Sequence, residues 1–109
     1  MKSGIHNIEI ENGSTFEMDL ALNNNDDTDF DISAYTVDMQ MRDRASVLIL
    51  NCKDYISINN INHITIDIPA TATEDISEVS GVYQIEIYTG QKEYSVLRGA
   101  VTFIGAVIK

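Results

Sequence analysis

The stretch that most constrains the fold lies near the end of the chain, GVYQIEIYTGQKEYSVLRGAVTF from Gly81 to Phe103. Tyr83, Ile85 and Ile87 alternate with Val82, Gln84, Glu86 and Tyr88, the period-two signature of a half-buried strand. Thr89-Gly90-Gln91-Lys92 follows as a turn with glycine at its first central position, where a type II′ turn requires positive φ. Closure there predicts Tyr88 opposite Glu93, Ile87 opposite Tyr94, Glu86 opposite Ser95 and Ile85 opposite Val96. The apolar pairs then share one face and the polar pair takes the other, so turn and pattern specify a single register. Beyond Val96 the alternation slips, because Leu97, Val101 and Phe103 have the opposite parity to Tyr94 and Val96. A bulge or bend at Gly99 is predicted to absorb the extra residue, either as an ordinary corner or as a device that re-aims Arg98 at a partner.

The rest of the chain supplies more strands of the same kind. Ile8 and Ile10 begin a short strand that the Asn12-Gly13 turn ends. Phe16, Met18, Leu20 and Leu22 share one face of the next, with Glu17, Asp19 and Ala21 on the other. The loop from Asn23 to Asp29 is too hydrophilic to be buried. Val37, Met39 and Met41 face inward on a strand from Thr36 to Arg42, and Val47 to Leu50 is a short apolar run. Strands at Tyr55 to Ile58 and Ile61 to Ile68 flank an Asn59-Asn60 turn, and Pro69, which cannot donate to a ladder, stops the second. Ala70 to Glu78 is too short for an independent helix and is expected to be a crossover with one helical turn. Seven to eight short strands in a single domain, residues 1–109, predict an all-β fold: an antiparallel β-sandwich, Ig-like in outline.

Seventeen acidic against seven basic residues give a net charge of −10, which opposes contact with nucleic acid or an anionic membrane, and no segment has the length of a membrane span. The amino terminus lacks the apolar run of a signal peptide, and the lone Cys52 cannot form an internal disulfide. Both fit a protein made in a reducing cytoplasm.

Chemistry is sparse. Catalysis through a nucleophile needs a neighbouring base and an orienting group, and the chain offers only His6, His63 and Cys52, far apart and with neither zinc spacing nor a glycine-rich phosphate loop. Cys52 is expected to be a small buried side chain. No catalytic, cofactor-binding or metal residue is therefore assigned, and no cofactor is expected. Asp27, Asp29 and Asp31, with Asp38 further on, could surround calcium, but Ile32 stands where an EF-hand loop needs glycine. Five tyrosines could suggest a sugar-binding face, yet Tyr83 and Tyr94 already have inward phases.

Three ordered features carry a resemblance. They are the Gly13-initiated strand with its polar loop and the Asp31-Ile32-Ser33-Ala34-Tyr35 lead-in to the strand ending at Met41-Arg42, then ITIDIPATAT from Ile64 to Thr73, then the hairpin from Gly81 to Phe103. In this order they resemble small β-sandwich virion structural proteins of tailed bacteriophages, of the baseplate, tail-fibre attachment or decoration type. The chain departs from that pattern at Gln84, where the family often has Asp, and at its Ile108-Lys109 end. The resemblance implies a non-enzymatic virion component acting through contacts with other virion proteins, homo-oligomeric in the particle and made in the host cytoplasm. Capsid decoration is the alternative placement, and a stand-alone sugar- or calcium-binding module the alternative function. The apolar end of the chain, Ile104-Gly105-Ala106-Val107-Ile108, is either a last core strand or an arm, and Ile104, Val107 and Ile108 are the expected partner-binding residues.

Overall fold

The alternating segments pair into two sheets, seen in a computed structural model that describes residues 4–105. The strands are β1 (Gly4–Ile5), β2 (Ile8–Glu11), β3 (Phe16–Ala21), β4 (Thr36–Arg42), β5 (Leu48–Asn51), β6 (Ile56–Asn59), β7 (His63–Ile68), β8 (Ser80–Tyr88) and β9 (Glu93–Ile104). One helical turn, α1 (Ala70–Thr73), sits in the crossover before β8. The larger sheet has the order β1-β9-β8-β4-β5, with β2 continuing β1 along the same edge of β9; the smaller is β3-β7-β6. The all-β sandwich class is as the sequence predicts, with nine strands among the described residues rather than seven or eight.

The order is that of an immunoglobulin-type sandwich in which the second, fifth and fourth strands form one sheet and the third, sixth and seventh the other. Here β3, β7 and β6 fill the first set, β4, β8 and β9 the second, and β5 extends it. The first strands depart from a purely antiparallel arrangement: β1 and β2 run parallel to β9, Gly4 opposite Leu97 and Ile8 opposite Val101. The antiparallel pairs β4–β8 and β3–β7 place Met39 opposite Ile85 and Met18 opposite Ile66.

Between the sheets lies one core. Ile10, Ile32, Met39, Met41, Ile64, Ile66, Ile68, Ile85 and Ile87 have no exposed surface. Each buried side chain of this size contributes roughly 1.5–3 kcal/mol relative to exposure, which makes the inward phase of every strand costly to reverse. Buried polar groups hold the connections to this core. Asn62 donates from Nδ2 to Leu22 O at 3.1 Å and to Asp29 Oδ1 at 3.2 Å, tying both ends of the polar loop to the start of β7. Thr73, fully buried, accepts a hydrogen bond from Gly13 N at 3.0 Å, and Asn12 Nδ2 donates to Ile76 O at 3.0 Å. The crossover is thus pinned to the β2–β3 turn, where Gly13 has a φ of 81°.

Two details of the hairpin differ from expectation. Its first three pairs hold, but Ile85 stands opposite Leu97 instead of Val96, so the extra residue is accommodated at Val96 and not at Gly99. Val96 and Tyr94 are both inward-packing side chains, and a bulge between them and Leu97 lets β9 keep an apolar inner face on both sides of the slip. Gly99 serves another purpose. A Cβ there would collide with the carbonyl oxygen of His6, so only glycine lets the link between β1 and β2 cross at this point. The turn also differs: Gly90 does not take the positive φ of type II′. The Thr89 hydroxyl accepts from Gln91 N at 3.2 Å and Lys92 N at 3.1 Å, closing the turn without a left-handed residue.

Candidate functional site

The residues that carry reactive chemistry are scattered. His6 and His63 are exposed, on the β1–β2 link and at the start of β7. Cys52 is fully buried, and burial, helped by the negative charge of Asp38, pushes its thiol up to about 12. A thiol so placed is neither accessible nor ionised near neutrality. The structure brings none of these three together.

The aspartate loop is organised around its own backbone. Asp26 Oδ1 accepts from Thr28 Oγ1 at 2.6 Å, Asp31 Oδ1 accepts from Ser33 N at 2.9 Å, and Asp29 Oδ1 accepts from Asn62. The bonds from Thr28 and Ser33 hold the Asp26 and Asp31 carboxyls below their ordinary values. Asp38 is not part of this loop; it lies mid-strand on β4. Among the described residues no group of three or more His, Cys, Asp or Glu side chains is arranged to hold a metal ion.

Most of the aromatic residues pack inward. Phe30, Tyr35 and Tyr94 stack against one another with ring centroids 5.5–6.1 Å apart. Tyr83 is buried in the core, donates its hydroxyl to the carbonyl of His6, and has that hydroxyl pushed to a higher pKa by burial. Ile104 ends β9 opposite Glu11 and keeps 41% of its surface exposed; Val107 and Ile108 lie outside the described residues.

A feature that the sequence reading did not assemble occupies the outward face of the larger sheet. The Val96 bulge turns Arg98 outward, opposite Gln84, with Ile5 on its other side. Pairing sets four rows across this face. The first holds Leu48, Arg42, Val82 and Ala100; the second Asn51, Gln40, Gln84, Arg98 and Ile5; the third Asp38, Glu86 and Ser95; the fourth Thr36, Tyr88 and Glu93. The β4, β8 and Arg98–Ala100 members of the first three rows floor a groove of about 620 Å³, to which Ile5 and Asn7 contribute one side.

The face is electrically divided. Arg42 and Arg98 stand toward one end of the strands, and Asp38, Glu86 and Glu93 toward the other. Partial burial, a hydrogen bond to Glu93 and the charges of Glu93 and Asp38 raise the Glu86 carboxyl above its ordinary value. Asp38 Oδ1 is covered and finds no hydrogen-bond partner among the described residues. Arg42 is held by Gln40 Oε1, at 3.1 Å from Nε and 2.6 Å from Nη2, and by Ser46 O at 2.8 Å. Apolar surface is exposed beside the charges: Ile5 at 74%, Leu48 at 46% and Val82 at 42%. The signal was present in sequence as the outward parity of these residues, but their grouping depends on four strand pairings and one bulge.

Compared with known proteins, the chain matches no family model and no curated protein sequence.

Proposed function

We propose that the protein is a non-enzymatic structural component of a tailed-bacteriophage particle, working in the tail, baseplate, fibre attachment or neck through protein–protein contacts. The observation that carries the reading is the ordered set of three segments from Gly13 to Phe103, each of which forms part of the sandwich. The first supplies β3 and the lead-in to β4, the second β7 and α1, and the third the β8–β9 hairpin. The arrangement of His6, His63 and Cys52 supports a role without catalysis, since a nucleophile needs a base within hydrogen-bond reach. A two-sheet scaffold with exposed edges at β3, β5 and β6 is suited to contacts with neighbouring subunits.

Mass spectrometry of purified particles from the phage that encodes the chain tests this directly. The protein is expected among the virion proteins, in copies that are a multiple of three or six and number at most a few dozen. Hundreds of copies would move it to the head surface, and its absence from the particle would end the proposal.

A further inference from the structure

From the divided face of the larger sheet we infer that two copies of the chain pair face to face through it about a two-fold axis. The axis lies in the plane of the contact and runs across the strands, between the Gln40–Gln84–Arg98 row and the Asp38–Glu86–Ser95 row. Rotation about it reverses the strand direction while leaving β4 over β4 and β9 over β9. The end carrying Arg42 and Arg98 then meets the end carrying Asp38, Glu86 and Glu93 on the second copy. The face is complementary to itself in this arrangement, which is the requirement of an isologous contact.

Three observations converge on a second copy as the occupant. Both signs of charge sit on one face, ordered along the strands: Asp38 and Arg42 are four residues apart on β4, roughly 13 Å at the rise of a strand. The carboxylate end gathers Asp38, Glu86 and Glu93 around Lys92 alone, and arginines from a second copy would add positive charge there. Finally, the exposed Val82, Leu48 and Ile5 lie beside the arginines, so closure of the face also removes apolar surface from water.

Net charge works against the pair, since each chain carries −10. That repulsion is long-ranged and is screened at physiological salt, where the Debye length is about 8 Å, whereas charges in contact across a closed face are screened much less. The dimer is therefore expected to be favoured by moderate salt over very low salt. Its geometry is independent of the phage reading, and its failure would leave that reading standing.

The test is sedimentation equilibrium on the full chain from about 10 μM to about 1 mM, a range that resolves affinities typical of modest interfaces. The expected result is a monomer–dimer equilibrium for the wild type. Two charge-reversed variants sharpen it: one with Arg42→Glu and Arg98→Glu, the other with Glu86→Lys and Glu93→Lys. Each alone is expected to lose at least tenfold in dimer affinity, and an equimolar mixture to regain dimers. Circular dichroism checks that both remain folded. Should either variant lose its fold, Val82→Asp reads the same contact from the apolar part of the face, with a dimer weakened at least tenfold. A wild type that stays monomeric through the whole range overturns the inference. So does a dimer that survives the reversals, because it would use another surface, and so does a mixture of folded variants that fails to reassociate.

Discussion

On the three-stranded sheet the middle of the outward face is tied by hydrogen bonds among its own side chains, and its carboxylates are left to water. Thr65 Oγ1 donates to Asp19 Oδ1 at 2.7 Å, Asn59 Nδ2 donates to Thr65 Oγ1 at 2.6 Å, and Glu17 and Asp67 stand opposite each other in water. On the larger sheet the outward residues include two arginines, a packed set of carboxylates and exposed Ile5, Leu48 and Val82. Both faces arise from the same alternation of inward apolar and outward polar residues. Alternation fixes which side is the core but not what the other side is for. That depends on which outward residues the pairing makes neighbours.

Four substitutions probe this contrast. The largest effect is expected from Ile66→Ala on β7, which removes a fully buried side chain that packs between the sheets. A loss of about 2–5 kcal/mol should appear in urea unfolding as one transition, because both faces rest on the same core. Separate transitions for the two sheets would break the comparison at its base.

Next is Gly99→Ala, whose new methyl would sit against the His6 carbonyl. The link between β1 and β2 must then move, weakening the bond from His6 N to Arg98 O and that from the Tyr83 hydroxyl to His6. A cost of about 1–3 kcal/mol is expected. Hydrogen exchange should show lost protection along β1 and the middle of β9 while β3, β6 and β7 keep theirs.

Glu86→Gln acts only on the divided face. In the fold Glu86 holds its proton to higher pH than its ordinary value of 4.5. The native state thus binds more protons than the unfolded chain just above that value, so stability from this group falls as pH rises through it. Glutamine removes the dependence. The variant should gain up to ~1 kcal/mol over wild type at neutral pH and nothing near pH 4, measured by thermal melts across the range. A variant less stable at neutrality would mean that the carboxylate is compensated within the chain after all.

The smallest effect is expected for Thr65→Val on the other sheet. It removes two exposed hydrogen bonds but adds a good strand former, and the net change should stay within about 0.5 kcal/mol. Self-association, read by sedimentation, should not change.

Much of the fold was legible because strand alternation is a local signal. The inward phases of Val37, Met39, Met41, Ile64, Ile66, Ile68, Tyr83, Ile85 and Ile87, the stop at Pro69 and the single helical turn after it all follow from residue order and appear as expected. So does the burial of Cys52. The end of the hairpin was less legible. Parity showed that β9 must slip somewhere, and a glycine drew the slip to Gly99, whereas packing of Tyr94 and Val96 placed it at Val96.

Residue order alone specifies every strand except β1, the inward faces of those strands and the first pairs of the final hairpin, since each depends on residues near in the chain. Tertiary structure alone decided that β1 and β2 run parallel to β9, that Gly99 is reserved for the crossing of His6, and that Arg42, Arg98, Asp38 and Glu86 share one groove. The physical reason is distance along the chain. Asp38 and Glu86 become neighbours only when β4 pairs with β8, and Ile5 meets Arg98 only when the first strand closes against the last, so no local pattern can announce either contact.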